Sequence, residues 1–173
     1  MTKDIEPKLK VIEDYLKLDT IKSFIVPEYQ RAYSWNIMHC DKLWQDIETF
    51  MESGASDPYF FGTVIIDCSN TSTFNLIDGQ QRTTTFLLLL KALQLRLNEV
   101  IERFKASNLS DSLYKALTRK RDKIVQILFN CNDDLLDNIL EDWTLVKNFS
   151  IFINNSINEQ YKKELGIIIK SFD

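Results

Sequence analysis

The sequence predicts an α+β fold: a small sheet packed with helices, followed by a region of helices alone. Three observations lead there. Short runs of β-branched and aromatic residues alternate with segments of helical period through the N-terminal part of the chain. After Ser107 every apolar cluster keeps helical spacing, with no clear strand between clusters. Between the two textures, Leu76-Ile-Asp-Gly-Gln-Gln-Arg-Thr-Thr-Thr85 joins an apolar strand to an apolar helix through polar residues.

In order along the chain, Ile5, Leu9, Ile12 and Leu16 recur at spacings of three and four. They predict an amphipathic helix from Ile5 to Leu18, with Asp4 as N-cap and Pro7 tolerated in its first turn. Phe24-Ile-Val26 is a strand closed by Pro27, which restricts the residue before it and cannot continue a ladder. Ser34 or Asn36 caps a helix reaching about Met51, whose Leu43, Trp44, Ile47, Phe50 and Met51 keep the helical period. Ser53-Gly-Ala-Ser-Asp-Pro58 is a turn cluster. Tyr59 to Cys68 reads as a buried strand, Ser69 to Ser72 as a turn, and Thr73 to Ile77 as the returning strand of a hairpin.

A long helix follows from about Gln81 to Phe104. Its Phe86-Leu-Leu-Leu-Leu90 stretch is apolar all round, which predicts the most buried helix of the fold. The clusters Leu113/Leu117, Ile124/Val125/Leu128, Leu135/Leu136/Ile139/Leu140 and Ile157/Tyr161/Leu165/Ile168 extend helical spacing to the end, with breaks at Asn130–Asp134 and Asn154–Ser156. The chain ends on Ile167-Ile-Ile-Lys-Ser-Phe-Asp173 without a solvated tail, as expected for a fragment of a longer protein. The expected division is a core over 1–106 and an incomplete helical subdomain over 107–173.

Composition narrows the class. With 173 residues, 45% apolar and 12% aromatic, the chain can bury a sizeable core, so disorder is not expected. A net charge of −4 argues against binding duplex DNA through bulk electrostatics alone, while leaving room for a local basic patch. No apolar run is long enough for a membrane span and the N-terminus lacks a signal peptide's apolar core, so a cytoplasmic protein with no membrane contact is expected. Cys40, Cys68 and Cys131 are widely spaced, form no zinc pattern and suit reduced thiols. A single histidine, His39, has no catalytic partner in sequence and is read as structural.

The chemistry concentrates in Asp78-Gly79-Gln80-Gln81-Arg82-Thr83-Thr84. Polar residues between a buried strand and a buried helix are expensive unless they bind something, and the free N–H groups of a helix start suit an anion. A phosphate or nucleotide site follows from this. Gly79 permits the tight turn and close backbone approach. Arg82 offers a fork of donors to phosphate oxygens. Gln80 and Gln81 can hold ribose, base or water, and Asp78 can bind Mg²⁺ or orient a nucleophilic water. The alternative is a polar turn with an Asp cap and an arginine salt bridge.

A second cluster is Val26-Pro-Glu-Tyr-Gln-Arg-Ala-Tyr-Ser-Trp35. Glu28, Gln30 and Arg31 lie among Tyr29, Tyr33 and Trp35, and Arg31 can share an anion with Arg82. The aromatics can stack on a base, or Tyr33 and Trp35 can be core anchors while Arg31 pairs with a carboxylate. The run Arg119-Lys-Arg-Asp-Lys123 suits a solvated helix face better than a nucleic-acid contact. Glu48 and Glu141-Asp142 have no partner in sequence that would make them metal carboxylates.

Four segments in order, Ile25–Trp35, Leu43-Trp-Gln-Asp-Ile47, Phe60-Phe-Gly-Thr-Val-Ile-Ile66 and Leu76–Thr85, resemble the N-terminal domain of GmrSD-type, modification-dependent restriction endonucleases. The resemblance is close over about residues 5–105. It implies a ParB/sulfiredoxin-like core with a small mixed sheet, and a nucleotide-binding, often NTP-hydrolysing sensor module of antiphage defence proteins. A separate C-terminal HNH-type nuclease domain or subunit would cut DNA, which the complete protein would contact. The family's Asp-Gly-Gln-Gln-Arg motif falls on Asp78, Gly79, Gln80, Gln81 and Arg82, and its Pro-x-Tyr-Gln-Arg motif on Pro27, Tyr29, Gln30 and Arg31. Asp78, Gln81 and Arg82 are then the expected catalytic residues. Gln30, Arg31 and 78–84 form the nucleotide contacts, with Asp78 on the Mg²⁺ that accompanies the NTP. No HNH motif occurs here, so nuclease activity is not expected of this chain. A non-catalytic DNA-binding module of ParB type and a protein-interaction domain are the competing readings.

Overall fold

A computed structural model describes residues 5–16, 23–71, 73–107, 111–129, 131, 136 and the backbone of 151–153. The fold is α+β. A four-stranded mixed sheet is built from β1 (Ser23–Val26), β2 (Ile65–Asp67), β3 (Thr73–Asp78) and β4 (Ile151–Ile153), in the order β2-β3-β1-β4. Strand β1 pairs in parallel with β3, Phe24 beside Phe74, and in parallel with β4, Val26 beside Ile153. Strand β2 runs antiparallel to β3, as the hairpin expectation required. The helices are α1 (Ile12–Leu16), α2 (Ile37–Ser53), α3 (Gln80–Ser107) and α4 (Asp111–Phe129).

Three expectations are corrected. The first helix begins at Ile12, not near Ile5, and Ile5 and Leu9 stand exposed ahead of it. Spacing alone cannot hold a helix whose apolar face has nothing to pack against. The predicted strand over 59–68 shrinks to Ile65–Asp67, because Gly62 takes a positive φ of 103° that ends extended structure upstream. A strand also exists after residue 107. Ile151–Ile153 comes back to the sheet beside β1, so the C-terminal region is not purely helical around the core. The predicted helices over 135–140 and 157–168 and both Asn-rich breaks lie outside the described residues, apart from Cys131 and the buried Leu136.

Helix α2 starts where Asn36, not Ser34, caps it. The Asn36 Oδ1 accepts the N–H groups of Met38 (3.1 Å) and His39 (3.3 Å), and His39 Nδ1 accepts the Asn36 N–H at 3.3 Å. This reciprocal box gives His39 the structural role expected for it. Gly54, at φ 62°, closes the helix in the left-handed conformation.

The core gathers Leu16, Phe24, Val26, Leu76, Phe86, Leu87, Val125 and Leu128. Helix α4 packs along α3 through Val125 and Leu128, while Arg119 and Lys120 face solvent. The burial of α3 differs from its hydropathy. Leu88, Leu89 and Leu90 are only half-buried, whereas the polar first turns, Gln80, Gln81, Thr83, Thr84 and Thr85, are buried. Several of the dry positions of α3 thus carry polar side chains, and each then needs a partner. Among the described residues, no helix is long and apolar enough to cross a membrane.

Candidate functional site

Strands β1, β3 and β4 are parallel, so their carboxyl ends share one edge of the sheet. In open sheets that edge is where ligands bind. Here β3 ends at Asp78, Gly79 makes the turn, and α3 begins at Gln80. Gly79 sits at φ 91°, and a Cβ there would lie 2.8 Å from a Val64 methyl, so only glycine fits. Its carbonyl accepts both the Thr83 N–H (2.9 Å) and the Thr83 hydroxyl (3.0 Å). As the helix cap, glycine brings no side-chain oxygen to the first-turn N–H groups.

Over this helix start lies the segment 27–35. Pro27 to Gln30 is a β-turn closed by the Gln30 N–H on the Pro27 carbonyl at 3.0 Å. The Gln30 side-chain amide donates to the Ile77 carbonyl at 2.7 Å. Gln80 Nε2 donates to the Arg31 carbonyl (2.9 Å) and Gln81 Nε2 to the Ala32 carbonyl (3.0 Å). Gln81 Oε1 accepts the Ser34 N–H at 2.8 Å, and the Tyr33 hydroxyl meets Thr85 Oγ1 at 3.0 Å. The two clusters singled out in sequence are therefore one unit, clasped by five hydrogen bonds running between 30–34 and the β3–α3 junction. These amides are bonded to backbone: both groups of Gln81 are used within the clasp, while Gln80 Oε1 is buried without a partner.

On the other flank, Arg82 reaches the loop before β2. Its guanidinium lies flat against Gly62, where a Cβ would stand 3.3 Å from Cζ, and its Nη2 donates to the Thr63 carbonyl. Arg82 Nε is buried and lacks an acceptor. The Asp78 carboxylate lies 3.8 Å from Arg82 Nη2 and is mostly exposed, so this ion pair is a weak surface contact. Arg31 is exposed, Thr83 bonds the Tyr15 hydroxyl at 2.8 Å, and Thr84 is buried. Burial pushes the Tyr15 phenol up to about 12, against the opposing pull of its Thr83 hydrogen bond. Among the described residues, no cluster of three or more His, Cys, Asp or Glu side chains could hold a metal by itself.

Sequence reasoning quoted Gly62, Thr63 and Val64 within the Phe60–Ile66 segment but gave no site role to them or to Tyr15, which seat Arg82, Gly79 and Thr83. Gly62 left a signal: it is one of only four glycines in the chain and interrupts an apolar run. The Thr63 carbonyl left none, because a backbone acceptor has no sequence signature.

The profile of the GmrSD restriction endonuclease N-terminal domain matches residues 12–172. The chain belongs to that family. The GmrSD match spans every element described above, α4 and β4 included. Its setting is thus restriction, a defence against invading DNA. No curated protein matches the chain.

Proposed function

We propose that this GmrSD-family domain binds a nucleoside triphosphate with Mg²⁺ at the β3–α3 junction and hydrolyses it as the sensor of a cytoplasmic, modification-dependent restriction protein. The observation that carries the reading is the pairing of a glycine-capped 28-residue helix with Arg82, whose Nε is desolvated and has no acceptor. A buried guanidinium N–H without an acceptor is costly, and an anion at that helix start could accept from it and from the first-turn N–H groups. The core would be ParB/sulfiredoxin-like, with the ligand at the carboxyl ends of its parallel strands.

In this reading Arg82 and the exposed Arg31 hold phosphate oxygens from two sides. Gly79 lets the backbone approach, and the Gln30, Gln80 and Gln81 clasp fixes the loop that carries Arg31. Asp78 suits Mg²⁺, which needs only one or two carboxylates when phosphates and water complete its shell. The metal would neutralise charge on the transferred phosphoryl group. Asp78 would otherwise orient the attacking water, and the preorganised donors would stabilise developing charge. An HNH-type nuclease domain or subunit, acting on DNA, would receive the signal.

The test is thermal stability and calorimetric titration with each NTP, with and without Mg²⁺. Wild type should gain roughly 2.7 kcal/mol at a hundred times Kd. Asp78→Ala and Arg31→Ala, both at exposed positions, should keep the ligand-free melting temperature and lose most of that gain. If no NTP shifts wild type, or both variants respond as wild type does, the proposal fails.

A further inference from the structure

We propose that Tyr29 is the platform on which the base of the bound nucleotide stacks, so that the site takes all four bases with similar affinity. This rests on the nucleotide reading above and adds the part of the ligand that the phosphate contacts leave unassigned. The structure separates the aromatics of the 27–35 segment. Tyr33 is tied to Thr85 and lies 3.7 Å from Cys40 Sγ, and Trp35 stacks on His39 with ring centroids 5.9 Å apart. Tyr29 is left 72% exposed.

Its place is fixed. Tyr29 is the third residue of the Pro27–Gln30 turn, directly after β1, and the next residue, Gln30, is bonded to the carbonyl of Ile77. Ile77 precedes Asp78, so the turn that carries Tyr29 stands at the same sheet edge as Asp78 and the start of α3. The clasp from Gln80 and Gln81 holds the following residues, which leaves the turn little freedom. An exposed aromatic on a fixed turn loses little entropy when a flat group settles on it. Base stacking of this kind is tolerant of sequence because every base has a π-face. Gln30 Nε2, Gln80 Nε2 and both groups of Gln81 are engaged in the clasp, which leaves the Tyr29 ring as the open aromatic contact of this segment for the base.

The experiment titrates the full chain with inorganic tripolyphosphate and with ATP, GTP, CTP and UTP, each with Mg²⁺. Tyr29→Ala should weaken all four NTPs by roughly 5- to 150-fold and leave tripolyphosphate unchanged, while Tyr29→Phe keeps wild-type affinity. Unaltered NTP binding in Tyr29→Ala overturns the proposal. So does an equal loss for NTP and tripolyphosphate, which would mean the substitution disturbs the turn. Equal binding of tripolyphosphate and NTPs by wild type also overturns it while leaving the phosphate site standing. Binding of neither ligand defeats the nucleotide reading itself.

Discussion

The Arg82 guanidinium lies against Gly62: a Cβ on the glycine would sit 3.3 Å from the guanidinium carbon of the arginine. The loop before β2 thereby sets where the arginine of α3 can point. Gly62 is also at φ 103°, a conformation that side chains resist. Gly62→Ala is expected to lower stability by about 1–3 kcal/mol and to weaken NTP binding beyond that loss. Urea unfolding and titration of the folded variant separate the two effects. Wild-type affinity in the folded variant would mean that Arg82 is not held by this contact.

Gly79→Ala should be worse. It combines the strained φ of 91° with a 2.8 Å approach to Val64, for a loss of about 2–5 kcal/mol. Adding Val64→Ala should recover the crowding and not the backbone strain. A double-mutant cycle reads this as a favourable coupling, and strictly additive losses would contradict it.

Gln81→Ala leaves the Ser34 N–H and the Ala32 carbonyl without their side-chain partner. A loss of about 2–4 kcal/mol is expected, from two unmade bonds in a partly buried clasp. Hydrogen exchange at Ser34 should accelerate with it. Gln81→Glu keeps the acceptor for Ser34 but sets a buried carboxylate against the Ala32 carbonyl, so its loss should be at least as large and should shrink as pH falls and the carboxyl takes up a proton. A milder, pH-independent effect would mean that the Ala32 bond contributes little.

Asn36→Ala removes the cap of α2 and should lower stability by about 1 kcal/mol, visible in the urea midpoint. Asn36→Asp should restore most of it, because a carboxylate still accepts the first-turn N–H groups and suits the helix dipole.

Two buried groups give opposite responses to alkali. Burial pushes the Lys91 ammonium down to about 8, from 10.5 when unfolded. Between those values the unfolded chain binds more protons, so stability rises with pH over that window, by on the order of 3 kcal/mol. Tyr15 is raised from 10.0 to about 12, so the folded chain holds its proton longer and stability falls as pH climbs from 10 to 12. Lys91→Met should flatten the rise and Tyr15→Phe the fall, in urea unfolding followed across pH 7 to 12. An unchanged profile in either variant would remove that group as the cause.

Much of the fold was legible because local chemistry and tertiary context agree there. Phe24–Val26 before Pro27, the returning strand from Thr73 and a helix capped near Ser34 or Asn36 follow from side-chain shape, proline restriction and capping. The Asp78–Arg82 run was legible as a place of expensive polar residues, and the segment around Gln30 and Arg31 as its companion.

What the sequence by itself determined was thus the class of elements, most of their positions and the two clusters that matter. Only the tertiary structure decided that Gln80 and Gln81 clasp the Arg31–Ser34 backbone, that Arg82 is seated on Gly62 and Thr63, and that Ile151–Ile153 returns beside β1. The physical reason is common to all three. Each depends on a backbone group or a strand edge distant in sequence, and those partners carry no residue identity that a local pattern could record. Side-chain periodicity reports which face is buried. It does not report which carbonyl will be there to meet an amide.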